Sequence, residues 1–299
     1  MTEPVWVLED PRAGTANQAL GIAERLELPF RRVALRYGPL AAVPWPFPTL
    51  AGLAGRADFA APWPRLAISA GRRTAPVSRW LRARGVRTVH AMRPGFGAQD
   101  FDLLVIGEHD DPAPAANLLR IRGAPHRVTR AALATAPALP GLDVALLLGG
   151  PVRGAGMEPA VAVAIARQAA RLGRFLHVTT SRRTGSAAAD AVAQALHATP
   201  HALHRFGEDA PNPYLSLLAH AKHLVVTADS ISMLSESLMS PAQLWTADPG
   251  GLGPRHRRML AALHAAGSAA PVGGPAAPPR TPLDETGRVV AEIHARGLL

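Results

Sequence analysis

Residues 224–238, LVVTADSISMLSESL, change their hydrophobic period midway, and that change narrows the folds open to the chain. Leu224, Val225, Val226 and Thr227 form a short apolar, β-branched run suited to a strand buried on both faces of a parallel sheet. Ala228, Asp229 and Ser230 make a tight small-residue turn. From Ile231 the spacing becomes helical, with Ile231, Leu234 and Leu238 at i, i+3 and i+7 on one stripe, and Ser232 and Glu236 four apart on another. A hydroxyl-lined helix N-terminus therefore stands at the carboxyl end of a strand, with one carboxylate about a turn and a half further in. Unpaired N–H groups and the helix dipole make such an end an anion site, and a carboxylate behind it suits ribose hydroxyls. An ordinary capped helix with a solvated glutamate accounts for the same residues.

The same alternation runs through the chain. Strands are expected at 5–8, 32–35, 66–69, 88–92 and 102–106. The helix after the first strand, with Ala19, Ile22, Ala23 and Leu26 on one face, is expected to be capped by Thr15 or Asn17, and another helix is expected at 76–84. After an Ala/Pro segment at 134–141 the pattern restarts, with strands at 143–148, 175–179 and 243–246 and helices at 158–172, 212–221 and 254–266. A Pro/Ala/Gly linker at 267–282 and a final helix at 284–296 follow. The reading is α/β, with two Rossmann-like domains built on parallel sheets. Their bounds are 1–140 and 141–282, the second binding a nucleotide, with 283–299 able to cross back to the first. A chain of 299 residues, 48% of them hydrophobic, can bury two such cores.

Composition excludes several classes. The absence of cysteine removes disulfide frameworks and cysteine-based zinc sites. The start, MTEPVWVLEDP, has no basic region followed by an apolar one, and nowhere do eighteen apolar residues run together, so a soluble cytoplasmic protein is expected. The net charge of +10 is almost wholly arginine, Lys222 being the only lysine. Arginine forks suit phosphates, which points to phosphorylated ligands or an anionic membrane. No basic stretch is interleaved with stacking aromatics, so specific nucleic-acid binding is not expected. Residues 40–53 place Trp45, Phe47, Leu50 and Leu53 in a proline-broken segment near Arg31, Arg32, Arg36 and Arg56. Exposed, these side chains would dock on anionic lipid at the inner membrane face; folded under, they would extend the first core.

Candidate polar residues gather where strands end. Asp10 and Gly14 follow the first strand, without the full G-x-G-x-x-G pattern of dinucleotide folds. Gly71-Arg72-Arg73-Thr74 and Ser181-Arg182-Arg183-Thr184 deliver the same Arg-Arg-Thr triplet to a helix in each half, a weak internal repeat and a candidate phosphate or carboxylate clamp. His109, flanked by Glu108 and Asp110, ends a further strand, where ligands of open α/β sheets sit.

The set of Asp10, Gly14, Asn17, Gln18, the Gly71–Thr74 loop, Glu108-His109-Asp110, Asn117, Gly149-Gly150, Thr180–Thr184, Asn212-Pro213-Tyr214 and residues 226–236 resembles the mitochondrial-fission family named for elongated mitochondria. The resemblance spans residues 4–248 and implies a fold like the GT-B glycosyltransferases, two Rossmann-like domains facing a cleft. It implies a nucleoside diphosphate sugar as substrate, with no metal and no further cofactor, and a lipid-linked or saccharide acceptor. The donor would be held by Gly149, Gly150, Ser181, Arg182, Arg183, Thr184, Asp229, Ser230, Ser232 and Glu236, the last on the ribose. Gly14, Asn17, Gln18, Arg72, Arg73 and Thr74 would line the acceptor side, and Asp10 or His109 would take the acceptor proton. Ser240-Pro241-Ala242 departs from the Gly-x-Pro common after the ribose glutamate, and the first loop lacks the double glycine and histidine of the peptidoglycan-type enzymes. The competing implication is a non-catalytic interaction protein on the same fold, as eukaryotic members are tied to mitochondrial fission.

Overall fold

Strands buried on both faces need helices on both sides of their sheet, and the chain supplies them in alternation. The computed structural model describes residues 4–56, 59–151 and 156–299. In chain order the first elements are β1 (Val5–Glu9), α1 (Ala13–Arg25), β2 (Phe30–Ala34), β3 (Leu66–Ala70), α2 (Ala75–Arg82), β4 (Arg87–Ala91), β5 (Leu103–Gly107) and β6 (Leu118–Ile121). There follow α3 (Arg130–Ala134), β7 (Val144–Leu148), α4 (Pro159–Ala170), β8 (Leu176–Thr180), α5 (Ser186–Ala195) and β9 (His201–His204). The last are α6 (Tyr214–His220), β10 (His223–Thr227), α7 (Ile231–Ser237), β11 (Gln243–Ala247), α8 (Pro254–Ala265), β12 (Ala270–Pro271) and α9 (Glu285–Ala295).

These elements form two compact units, Met1–Arg127 with Asp284–Leu299, and Val128–Leu283. The first holds a six-stranded sheet in the order β2-β1-β3-β4-β5-β6, the second one in the order β12-β11-β10-β7-β8-β9. The strand pairs are parallel, as the apolar runs predict. The second order is that of dinucleotide-binding folds, and the first is the flavodoxin-like order with one strand, β6, added at one edge. Each sheet therefore has a point where the winding reverses, between β1 and β3 in the first unit and between β7 and β10 in the second. In open α/β sheets this is where ligands sit, outside the carboxyl ends of the strands.

In the first unit α1 and α9 cover one face, where Ile22, Ile68, Leu103, Val289 and Ile293 are fully buried. On the other face Trp6, Leu8, Leu53 and Leu81 pack with Phe59, Trp63 and Trp80. Asp284 fixes α9, capping it through Gly287 N–H at 2.8 Å and pairing with Arg25 of α1 at 2.9 Å. In the second unit Leu147, Val226, Leu234 and Leu263 fill one side of the sheet. Leu146, Leu148, Val225, Ala166 and Val192 fill the other.

Local chemistry departs from the sequence reading in three places. The first helix starts at Ala13, so neither Thr15 nor Asn17 caps it; both lie within it. Asp10 Oδ1 accepts the Arg12 N–H at 2.8 Å, and the Arg12 carbonyl accepts the N–H groups of Thr15 and Ala16, which closes the first turn without a side-chain cap. Strands β6, β9 and β12 lie outside the expected strands; β6 is a four-residue alternation with Leu119 and Ile121 buried and Arg120 exposed, and β9 and β12 carry no strand pattern. Residues 267–282 are more than a linker: Val272 N–H donates to the Thr246 carbonyl, and the Arg280 guanidinium reaches the carbonyls of Ser237, Leu238 and Ser240. The positive fork sits on carbonyls at the end of α7, where a cation is favoured.

One polar pair lies inside the first sheet. Ser69 of β3 and His90 of β4 are register partners with no exposed surface, and Oγ and Nδ1 lie 2.8 Å apart. The ring stacks on Phe101 with centroids 4.6 Å apart, and Nε2 has no hydrogen-bond partner among the described residues. Burial lowers the His90 pKa from 6.5 to about 3. Between those values the unfolded chain binds a proton that the folded chain refuses. Stability is thus lost as pH falls through 6.5, by about 1.4 kcal/mol per pH unit, until the folded ring itself titrates. In urea titrations across this window, His90→Gln should flatten the acid dependence by that slope relative to the parent. Parallel acid limbs would show that His90 does not titrate on unfolding.

Candidate functional site

At the reversal point of the second sheet three loops are knitted together. Gly149 and Gly150 follow β7, Ser181–Thr184 follow β8 and Ala228–Ser230 follow β10. Thr227 Oγ1 accepts the Gly149 N–H and Asp229 Oδ2 the Gly150 N–H, at 2.8 and 2.7 Å. Asp229 also pairs with Arg183 at 3.5 Å, so its carboxylate spans from the β10 loop across the β7 loop to the β8 loop. A Cβ on Gly149 would collide with that carboxylate, and one on Gly150 with the Arg183 carbonyl. The two glycines are thus required by close approach. Their N–H groups are already spent on Thr227 and Asp229.

The Thr184 hydroxyl is likewise spent. It donates to the carbonyls of Leu148 and Gly149 and accepts the Ser181 N–H at 2.8 Å, while its side chain is fully buried. Arg182 is exposed, and among the described residues it makes no ion pair. Ser230 caps α7, its hydroxyl accepting the Met233 N–H at 3.3 Å, and Ser232 is half-buried in the first turn. Asp229 Oδ1 is buried without a hydrogen-bond partner among the described residues.

Beside this knot lies a cavity of about 290 Å³ in the same unit. Its wall is made by Leu148, Thr180, Ser181, Phe206, Asn212, Pro213, Tyr214 and Met233, among others, at the carboxyl ends of β7, β8 and β9 and the starts of α6 and α7. Ser181 belongs both to this wall and to the knotted loops. Thr180 Oγ1 accepts the Phe206 N–H at 2.8 Å, fixing the segment after β9 over the cavity, and the Phe206 ring is 62% exposed. Glu236 of α7 accepts a hydrogen bond from the Tyr214 hydroxyl. Burial pushes the Glu236 carboxyl above the usual carboxylate range, against the opposing pull of that hydroxyl.

The first unit repeats the arrangement in a simpler form. Arg73 clasps buried Asp10 with both nitrogens, Nε to Oδ2 at 3.1 Å and Nη2 to Oδ1 at 2.6 Å, and stacks over the Tyr37 ring at 4.4 Å. Thr74 is buried, its hydroxyl donating to the carbonyls of Ala70 and Gly71, while Arg72 is exposed. In both triplets the first arginine faces solvent, the second holds an aspartate and the threonine ties its own loop. Removing one member of such a pair strands a buried charge at a cost of about 3 to 5 kcal/mol, whereas an exposed arginine contributes little to stability. Gly14 lies in the first turn of α1, Asn17 is half-buried and Gln18 buried on the same helix. His109 is buried in a short turn, 3.8 Å from Asp110 through Nε2, and packs so tightly over Gly107 that a Cβ there would strike its ring.

The segment 40–53 divides. Leu50 and Leu53 are buried in the first core, Trp45 is half-buried, and Leu40, Val43 and Phe47 are exposed. Trp45 packs edge-on against Phe47 at 5.5 Å. Arg32 is committed to Glu9 and Arg31 lies over Trp6, whereas Arg72 and Arg73 line a small hollow with Val43 and Trp45, and Arg79 donates to the Pro46 carbonyl at 3.1 Å.

Sequence reasoning missed Phe206, because β9 is a four-residue edge strand, His201–His204, half-buried along its length with neither an apolar run nor an alternation to mark it. It also missed His256 at the start of α8. Burial, and then the neighbouring Arg255, hold the His256 pKa below its ordinary value, while Asp229 opposes them, which places this ring by the knotted loops. The glycines of 250, 251 and 253 ahead of it were the available signal. Among the described residues no group of three or more His, Asp or Glu side chains stands where it could hold a metal ion, and no helix is long and apolar enough to cross a membrane.

Comparison with known structures identifies the architecture as the GT-B fold. The chain is similar to MurG of Acinetobacter baumannii with a TM-score of 0.52 at 12% identity, covering 99% of this chain and 92% of that one. It is similar to the spinosyn forosaminyltransferase SpnP with a TM-score of 0.53 at 13% identity, over 100% and 93% of the two chains. A putative UDP-N-acetylglucosamine 2-epimerase from Listeria monocytogenes gives a TM-score of 0.54 at 11% identity, over 99% and 88%. Among curated proteins, the uncharacterized protein RP120 of Rickettsia prowazekii (strain Madrid E) is 24% identical over 81% of this chain and 82% of its own length. Residues 13–297 match the model of the family described as mitochondrial fission ELM1, and the chain belongs to that family.

Proposed function

We propose that the second unit binds a nucleoside diphosphate sugar and that the protein is a glycosyltransferase acting on a saccharide or lipid-linked acceptor. The observation that carries this reading is the junction at Ser181, which joins a cavity of about 290 Å³ to the arginine-bearing loop at the point where the sheet winding reverses. The cavity takes the base, Glu236 the ribose and the Ser181–Arg183 loop the diphosphate. With the glycine N–H groups already spent, the positive charge facing a leaving diphosphate comes from Arg182, supported by Arg183 and the start of α8. Such fixed charge is the main catalytic contribution this chemistry asks of a protein. A glycotransferase, a forosaminyltransferase and a UDP-N-acetylglucosamine 2-epimerase bound to UDP-N-acetylglucosamine share the fold, which supports this reading.

A second reading, a nucleotide-sugar-binding interaction protein without transfer, is favoured by one feature of the first unit. Both oxygens of Asp10 are engaged by Arg73 and the Arg12 N–H, and His109 is enclosed. For either residue to take an acceptor proton, these contacts must open when substrate arrives. Release of nucleoside diphosphate from a bound nucleotide sugar in the presence of membrane extract separates the two readings: turnover supports the transferase, binding without turnover the interaction protein.

Thermal shift and calorimetry with uridine, guanosine, adenosine and thymidine diphosphates, and with UDP-N-acetylglucosamine, test the donor site. A ligand at about 100 times its dissociation constant adds roughly 2.7 kcal/mol of stability. Arg182→Ala should weaken diphosphate binding about tenfold, the loss of one charge-assisted contact, with the melting temperature of the free protein unchanged. Arg183→Ala should instead lower that melting temperature, because Asp229 is left without its cation. Absence of binding across the whole panel would sink the donor site.

Exposed Leu40, Val43 and Phe47, with Val43 sharing a hollow with Arg72, fit peripheral docking on an anionic bilayer, which would bring a lipid-linked acceptor to the protein. Co-sedimentation with phosphatidylglycerol vesicles should fall with salt and with Val43→Ser plus Phe47→Ser. Since both side chains are exposed, the double variant should keep the parent's melting temperature. No association of the parent at low salt rules the docking out.

A further inference from the structure

Tyr214 stands between two parts of the second unit. Its N–H donates to Asn212 Oδ1 at 3.1 Å, which fixes the entry to α6. Its ring forms part of the cavity wall, and its hydroxyl donates to Oε2 of Glu236 on α7. Glu236 is not among the residues that line the cavity, whereas its hydrogen-bond partner Tyr214 and Met233, one turn earlier on α7, are. Among the described residues Oε1 of Glu236 has no hydrogen-bond partner, and the side chain is half-buried.

We infer that Tyr214 is the positioning residue of the nucleoside site: its hydroxyl fixes the Glu236 carboxylate so that Oε1 accepts from a ribose hydroxyl, while its ring bounds the space for the base. This rests on the reading that the second unit binds a nucleoside diphosphate. A carboxylate has about four lone-pair positions and Tyr214 takes one of them, so the hydrogen bond orients the group without filling it. A glutamate otherwise loses rotamer freedom on binding, and a partner that has already fixed it removes that cost from the ligand.

The same hydrogen bond governs the charge. Burial favours the neutral carboxyl, and the Tyr214 hydroxyl is the contact that opposes burial. Other titratable groups around α7 are engaged elsewhere, His220 of α6 on the Ala136 carbonyl and Asp229, ahead of α7, on the Gly150 N–H and Arg183. His223, at the start of β10, accepts the Trp245 Nε1–H at 3.2 Å, and Arg280 sits on carbonyls at the far end of the helix. Once protonated, Glu236 gives up acceptor capacity to its own proton, so ribose binding carries an acid limb set by this carboxyl. Without the Tyr214 hydroxyl that limb moves to higher pH.

The probe is whichever ribonucleoside diphosphate of the panel the parent binds most tightly, used with its 2′-deoxy form in calorimetry over a pH series. Tyr214→Phe should weaken the ribonucleotide about tenfold, narrow the preference over the deoxy form and shift the acid limb upward. Glu236→Gln should remove the limb, and in that background Tyr214→Phe should cost less than about twofold, since coupled residues are not additive. If Tyr214→Phe alone lowers the melting temperature, the comparison within Glu236→Gln still decides, because no buried charge is stranded there. Equal or tighter binding by Tyr214→Phe with an unmoved limb overturns the assignment. So does a tenfold loss that persists in Glu236→Gln. A parent that binds no diphosphate fails the donor reading itself. A parent that binds, is weakened by Glu236→Gln and is indifferent to Tyr214→Phe fails only the role given to Tyr214.

Discussion

The Asp229 carboxylate is the contact on which the second unit's site depends. It bridges the loops after β10 and β8 by crossing the loop after β7, and the crossing is possible only because Gly149 and Gly150 lack side chains. A strand buried on both faces must end somewhere, and its last N–H groups need partners there. Thr227 and Asp229 supply them for Gly149 and Gly150, while Thr184 serves the carbonyls of Leu148 and Gly149. The glycine pair in this chain is therefore explained by packing, and the knot leaves one arginine of its loops, Arg182, exposed to solvent.

Asp10 and Arg73 solve the corresponding problem in the first unit with fewer parts. There the aspartate and the arginine follow adjacent strands, β1 and β3, so no intervening loop has to be crossed and no glycine pair is needed. The repeated Arg-Arg-Thr triplet thus has one structural plan in two settings. Its threonine and second arginine hold the fold, and its first arginine is available to ligand. Reading all three as ligand groups, as their chemistry alone suggests, overcounts the polar groups that a phosphate could meet.

What was legible in the sequence followed from period and composition. The runs at Val5, Leu66, Val144 and Leu224 marked buried parallel strands because both faces are apolar, and the switch at Ile231 marked α7. What was not legible lacks those signatures. β9 and β12 are short edge strands, where one side has no partner and apolar demand is low. The start of α1 is set by Asp10 holding the Arg12 N–H, a loop contact that no cap rule would find. Residues 267–282 read as linker from their Pro, Ala and Gly content, yet Arg280 secures them through carbonyls, which leave no trace in sequence. In the candidate site the sequence pattern marked Glu236 as a carboxylate four residues beyond Ser232 on α7. Its link to Tyr214 was not, since α6 precedes β10 and the contact is made only when both pack on the sheet.

The place of α9 bears on how the chain is made. The first unit is discontinuous, and Val289 and Ile293 of α9 complete the core that α1 begins. During synthesis from the amino terminus, domains fold as units when their residues have emerged. The second unit is contiguous and can close as soon as residue 283 is available, whereas the face formed by Leu20, Ile22 and Ile68 waits uncovered until all of the second unit has been made. The part of the protein translated first is thus the last to be finished, and its exposed apolar surface during that interval is the stretch of the nascent chain most in need of a chaperone.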